Sequence, residues 1–144
     1  MEKLQQERFV VALGCQASAE VVLEDGVRYC RERKAFDKPI SKLQHIQFRL
    51  AELATEIAIG RTFVDRLLAE HVASKNVVTE ASMAKWWITE LLKRACDEML
   101  QFHGGYGYMM EYQIALDYLD ARVQTIFAGT TEIMKLIIAR QMGL

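Results

Sequence analysis

The sequence is poor in residues that turn a chain sharply. It holds one proline, Pro39, and eight glycines among 144 residues, which leaves little turn chemistry for a many-stranded fold. No stretch alternates like a strand, and there is no internal repeat or low-complexity segment. Cys15, Cys30 and Cys96 are scattered, odd in number and without metal-ligand spacing, and they read as core thiols in a reducing compartment. Neither sign of charge dominates. With 18 basic and 19 acidic side chains the formal net charge is −1, whereas a nucleic-acid binder normally shows a basic face or stripe. No apolar run is long enough to span a bilayer, and the opening MEKLQQER is polar and helical rather than a secretory leader. The Gly104-Gly105-Tyr106-Gly107 run has no strand before it and so is not a dinucleotide fingerprint. His45, His71 and His103 stand on different segments with no Glu-x-x-His pair, so a di-iron bundle site is unsupported.

What is present is helical periodicity. From about residue 3 to 34, Phe9, Leu13 and Ala17, then Leu23, Val27 and Cys30, recur mostly at intervals of three and four, the pattern of a buried stripe. Gly14 and Gly26 interrupt it at roughly 1 kcal/mol each relative to alanine, which packing must outweigh. The segment stops near Phe36-Asp37, because Pro39 pushes Lys38 away from helical geometry. Ser41 opens a second helix, with Gln44 at capping-box spacing, and Leu43, Ile46, Leu50, Leu53, Ile57, Phe63 and Leu67 or Leu68 line its apolar face. Ser74-Lys75-Asn76 reads as a short loop. A third helix runs from about Thr79 to Phe102, with Met83, Trp86, Trp87, Leu91, Leu92, Cys96 and Leu100 as its apolar set, and Gly104 ends it. Two further helices cover roughly Gln113 to Thr125 and Thr130 to Met142. Long helices joined by short loops predict an all-α, up-down antiparallel bundle in a single domain over 1–144.

Two glycine breaks carry the candidate chemistry, at Gly104-Gly105 and at Gly129. At the second, Thr130 and Thr131 are both good N-cap residues. A hydroxyl beside a glycine at a helix N-terminus suits an anionic or carbonyl-bearing ligand; it also suits a simple capped turn between core helices. By spacing alone, Arg33 is a solvated arginine at a helix end, Phe36 a core phenylalanine, Gln44 a capping glutamine, and Glu7 a surface glutamate favourable to its helix dipole.

The stretch HGGYGYMMEYQIALDYLDARVQTIFAGTTEIMKLIIAR resembles the C-terminal signature of the flavin-dependent acyl-CoA dehydrogenases. RERKAFDKPISKLQ, from Arg31 to Gln44, is similar to the other signature of the same domain. The resemblance extends from about Gln5 to Arg140 and implies the FAD-binding helical domain of a longer enzyme. Ahead of Met1 such an enzyme carries a helical domain, a β-domain and any targeting segment. Residues matching the family's FAD contacts are Arg33, Phe36, Gln44, Gln101, Gly104 and Gly105 toward the partner subunit's cofactor, and Thr130 and Glu132 toward the subunit's own. An arginine fork suits pyrophosphate oxygens. Two positions depart from the pattern: Asp37 stands where relatives usually have glycine, and Glu132 where they often have glutamine.

The activity implied is α,β-dehydrogenation of an acyl-CoA. A carboxylate takes the α-proton while the β-hydrogen leaves as hydride to the flavin, which needs a base of raised pKa and a donor for the developing enolate oxygen. Many relatives place the base immediately before the Gly-Thr pair, where this chain has Ala128. In the long-chain and isovaleryl branches the base is instead a glutamate in a Glu-Arg pair on the first helix, which Glu7-Arg8 matches. The resemblance therefore implies Glu7 as base, the Ala128 backbone amide as donor to the thioester oxygen, and Arg8 and Gly129 beside the substrate, with an ion-pairing or structural role equally open to Arg8. It further implies a homo-oligomer (dimer or tetramer) and an electron-transfer flavoprotein as acceptor. The compartment would be the cytoplasm in a bacterium or the mitochondrial matrix in a eukaryote. A non-catalytic helical oligomerisation or binding module is the alternative, separated from the enzyme by whether acyl-CoA bleaches the flavin.

Overall fold

The computed structural model describes residues 2–144. Helix α1 (Glu2–Glu32) is followed by a two-stranded hairpin, β1 (Lys34–Ala35) and β2 (Lys38–Pro39), and a 3-10 turn (Ile40–Lys42). Then come α2 (Gln44–Val72), α3 (Val78–His103), a 3-10 turn (Gly104–Tyr108), α4 (Gln113–Gln124) and α5 (Thr131–Gln141). The expected all-α bundle is what forms.

Helix α3 is its axis. Its buried residues include Ala81, Ser82, Lys85, Ile88, Leu91, Leu92, Ala95 and Met99, a set too wide for one stripe and characteristic of a helix covered on several sides. Helices α1 and α2 are antiparallel, with Phe9 beside His71 at one end and Cys30 packed with Ile46 at the other. Helix α2 is likewise antiparallel to α3, and Arg49 pairs with Glu98 and Arg94 with Glu56 along their seam. Helix α1 runs parallel to α3: Gly26 lies against Met99 near their C-terminal ends, and Arg8 and Lys85 reach a common turn near their N-terminal ends. Helices α4 and α5 descend the remaining flank of α3, where Thr131 bonds Glu90 and Lys135 lies over the Trp86 ring.

The packing explains Gly26. A Cβ there would sit 2.0 Å from Met99 Sδ, so glycine makes the room that the buried Met99 side chain fills between α1 and α3. Burial of side chains such as Leu67, Ile88, Leu91 and Met99, at about 1.5–3 kcal/mol each, outweighs the helical cost. Gly14 is exposed with nothing within 4 Å, and no packing reason for it exists.

Several local expectations are corrected. The 34–39 segment is a β-hairpin rather than a simple helix stop: Lys34 pairs with Pro39 and Ala35 with Lys38. Phe36 and Asp37 form its tip with φ of +54° and +62°, the two consecutive left-handed residues of a tight hairpin turn. Phe36 is accordingly no core residue; it is 88% exposed. The capping box at Ser41 does not form, because Pro39 and the Ile40 amide bonded to the Arg33 carbonyl lead the chain into a 3-10 turn. Helix α2 instead begins after extended Leu43, without a side-chain cap, which leaves Gln44 exposed. Met83, placed on an apolar face by period, is 36% exposed, and of the alternatives Leu67 and Leu68 it is Leu67 that is buried. Gly104 ends α3 at φ +60°, and Thr130 caps α5 by accepting from the Ile133 amide at 3.4 Å, both as expected.

Candidate active site and cofactor-binding ends

The predicted residues gather at opposite ends of the bundle. At the first end, α1 begins next to the turn that leads into α5. Glu7 is exposed on α1 and lines an open cleft of about 650 Å³ together with Gln6, Val10, Val11, Phe127 and Ala128. The two positions that the resemblance implies for a base thus face one cleft. Ala128 adopts φ +54° and Gly129 φ +111°. The first is an uncommon conformation for a residue with a Cβ and costs on the order of 1 kcal/mol. At Gly129 a Cβ would come within 2.6 Å of Met134 Cε.

Two cations hold this turn. Arg8 Nε donates to the Ala128 carbonyl at 3.2 Å, and burial pushes the Arg8 guanidinium below its usual pKa. Lys85 Nζ donates to the Gly129 carbonyl at 2.6 Å and to the Gln124 carbonyl at 2.9 Å. Burial lowers the Lys85 pKa as well, since a desolvated ammonium is disfavoured. Thr131 Oγ1 donates to Glu90 at 3.1 Å, and the Thr131 amide to the Thr125 carbonyl at 3.1 Å. Among the described residues the Ala128 amide meets no acceptor of the chain. Glu132, exposed in the first turn of α5, has its carboxyl held low by its own backbone amide and then by the Thr130 hydroxyl.

Sequence reading missed Lys85 and Glu90. The signal was there for Lys85, which continues the stripe Ala81, Ile88, Leu92, Met99 where an apolar residue is expected. Nothing in the sequence marked Glu90, whose partner lies 41 residues on.

The second end joins the C-terminus of α1, the hairpin and the turn after α3. Arg33 stacks over the Tyr106 ring at 5.2 Å from its centroid, which sets a guanidinium beside exposed Gly104 and Gly105. Tyr29 stacks on His103 at 3.6 Å, and Tyr106 meets Tyr112 at 5.2 Å, so an aromatic cluster supports the loop. Gln44, Gln101 and Phe36 are exposed. A forked cation, two carboxamides, two glycines open to close backbone approach and a bare aromatic ring fit a dinucleotide with its pyrophosphate and ring systems. Glu7 and Arg33 are separated by almost the whole of α1, about 40 Å at ~1.5 Å per residue.

Comparison with known proteins gives the family. Residues 1–143 match the description "Acyl-CoA dehydrogenase, C-terminal domain". The mitochondrial long-chain specific acyl-CoA dehydrogenase of Rattus norvegicus is 46% identical over 141 residues, covering 98% of this chain and 33% of that protein. The crystal structure of an acyl-CoA dehydrogenase from Geobacillus kaustophilus superposes with a TM-score of 0.98 at 60% identity, over all of this chain and 38% of that one. A glutaryl-CoA dehydrogenase from Mycobacterium smegmatis, solved in complex with FADH2, superposes with a TM-score of 0.92 at 25% identity, covering 96% of this chain and 36% of that one. The chain spans about a third of the length of these relatives. It belongs to the acyl-CoA dehydrogenase family and has the fold of that family's helical C-terminal domain.

Proposed function

We propose that this chain is the C-terminal, FAD-binding domain of a larger acyl-CoA dehydrogenase in which Glu7 is the base. The observation that carries this reading is the cleft shared by Glu7 and Ala128, which sets a carboxylate across from a backbone amide free to donate. In the reaction the Glu7 carboxylate takes the α-proton of the acyl thioester, and the Ala128 amide donates to the thioester oxygen as negative charge develops there. Bound FAD supplies the acceptor for the β-hydrogen, which leaves as hydride. Arg8, already committed to the Ala128 carbonyl, keeps the turn in place. Thr130 and Glu132 lie beside the subunit's own cofactor, while Arg33, Phe36, Gln44, Gln101, Gly104 and Gly105 reach the cofactor of a neighbouring subunit. The separation of roughly 40 Å between the two ends supports this division and, with it, a dimer or tetramer. An electron-transfer flavoprotein is the acceptor proposed for the reduced enzyme, as the family resemblance suggests.

The test is Glu7→Gln in the full-length, FAD-loaded enzyme. Flavin bleaching by acyl-CoA is expected to fall about 10³-fold or more with FAD still bound, in the range for loss of a positioned base. Turnover near that of the wild type would reject Glu7. A wild-type enzyme that binds FAD but is bleached by no acyl-CoA would identify a non-catalytic helical module instead.

A further inference from the structure

Lys85 is fully buried in α3, on the stripe of Ala81, Ile88 and Leu92 where an apolar residue is expected. A buried ammonium is costly to desolvate unless its hydrogen bonds compensate, so its partners must account for its place in the core. What the amine adds is two hydrogen bonds. One goes to the carbonyl of Gln124, the last residue of α4, at 2.9 Å, and the other to the carbonyl of Gly129, just before α5, at 2.6 Å. The first satisfies a C-terminal carbonyl that has no partner within its own helix. The second fixes a peptide plane in the turn that carries Ala128.

Two consecutive planes of that turn are held by cations on different helices, the Ala128 carbonyl by Arg8 and the Gly129 carbonyl by Lys85. A trans peptide is planar and its N–H points opposite its C=O. Gripping both carbonyls therefore directs the following amides, those of Gly129 and Thr130, away from the cations. Ala128 sits at φ +54°, a conformation that persists only while its surroundings impose it. Without the grip on Gly129, Arg8 alone restrains the turn, and the strained Ala128 backbone shifts toward angles that alanine prefers, carrying its amide with it.

We propose that Lys85 is a positioning residue for the reaction: through the Gly129 carbonyl it holds the 127–130 turn so that the Ala128 amide meets the thioester oxygen. This rests on the activity assigned above. In the full-length, FAD-loaded enzyme, Lys85→Met is expected to lower the rate constant of flavin reduction by acyl-CoA about 10²-fold, the scale for losing one preorganised donor. Acyl-CoA affinity is expected to change less than about threefold, since the weakened hydrogen bond is one that matters in the transition state. A variant that loses thermal stability or FAD but reduces each bound flavin at the wild-type rate would overturn the proposal, because that is the behaviour of a structural lysine. Should Lys85→Met fail to fold, Lys85→Gln tests the same point: it is one bond shorter, and a reduction rate constant lowered at least about tenfold at unchanged acyl-CoA affinity is expected, while a wild-type rate constant overturns it. Failure of the activity itself looks different, since the wild-type flavin would then not be reduced at all.

Discussion

Arg8 Nε donates to the carbonyl oxygen of Ala128 at 3.2 Å, joining the start of the first helix to the turn before the last across 120 residues of sequence. Arg8 also runs alongside Gly129, where an added Cβ would lie 3.7 Å from its guanidinium. Arg8→Met keeps much of the side-chain length and removes the donor. Hydrogen bonds from charged groups contribute about 1.5–3 kcal/mol where buried, and Arg8 is only half-buried. Urea denaturation of the full-length enzyme is expected to show a loss of about 1 kcal/mol, and stopped-flow flavin reduction a rate constant down about tenfold or more. Unchanged reduction kinetics would leave Arg8 a purely structural residue.

At the opposite end, Tyr106 supports the Arg33 guanidinium from beneath. A cation over an aromatic face contributes about 0.5–1 kcal/mol at an exposed site, and ordering the guanidinium before binding lowers the cost of capturing a pyrophosphate. Tyr106→Ala is expected to weaken FAD binding about three- to tenfold by fluorescence titration of the apoenzyme. Little change in melting temperature should accompany it, because Tyr106 is 40% exposed. Unaltered FAD affinity would show that Tyr106 does not order Arg33 for the cofactor.

The hairpin tip stores backbone strain. Asp37 occupies φ +62° directly after Phe36 at φ +54°, where glycine is the favoured second residue of such a turn. Asp37→Gly is expected to stabilise the fold by about 0.5–1 kcal/mol, read as a melting temperature higher by about 2–4 °C. A lower melting temperature would show that the Asp37 side chain makes a contact outweighing the strain.

Acid should loosen the seam between α1 and α2. Hydrogen bonds from Arg61, at 2.7 Å to each oxygen, hold the Glu20 carboxyl below its ordinary value of 4.5. A folded-state pKa below the unfolded one means that the ionised carboxylate stabilises the fold. The contribution is complete above about pH 4.5 and is lost as pH falls through the lowered value. Glu20→Gln should flatten the decline of urea midpoint between about pH 5 and 3, and an identical slope in wild type and variant would exclude the pair as a source of acid sensitivity.

Much of this protein was legible along the chain. Five helices, their order and the two glycine breaks follow from apolar spacing, Pro39, Gly104 and the Thr130 cap, because these act within one or two turns of backbone. Failures occurred where geometry overrode a local pattern. Ser41 and Gln44 have capping-box spacing, yet the hairpin closed by Lys34 and Pro39 delivers the chain in a 3-10 turn and the box never forms. Phe36 has the composition of a core residue but sits at a tip with no neighbour to cover it.

The helical architecture and the family resemblance are legible in the order of residues alone, since periodicity and motif spacing act between near neighbours. It takes three-dimensional packing to bring Glu7 and Ala128 to one cleft, to set Arg8 and Lys85 on successive carbonyls of one turn, and to leave Arg33 roughly 40 Å away. Such contacts join residues tens to more than a hundred positions apart, and their closeness is set by how α1 and α5 pack on α3, which no local pattern encodes.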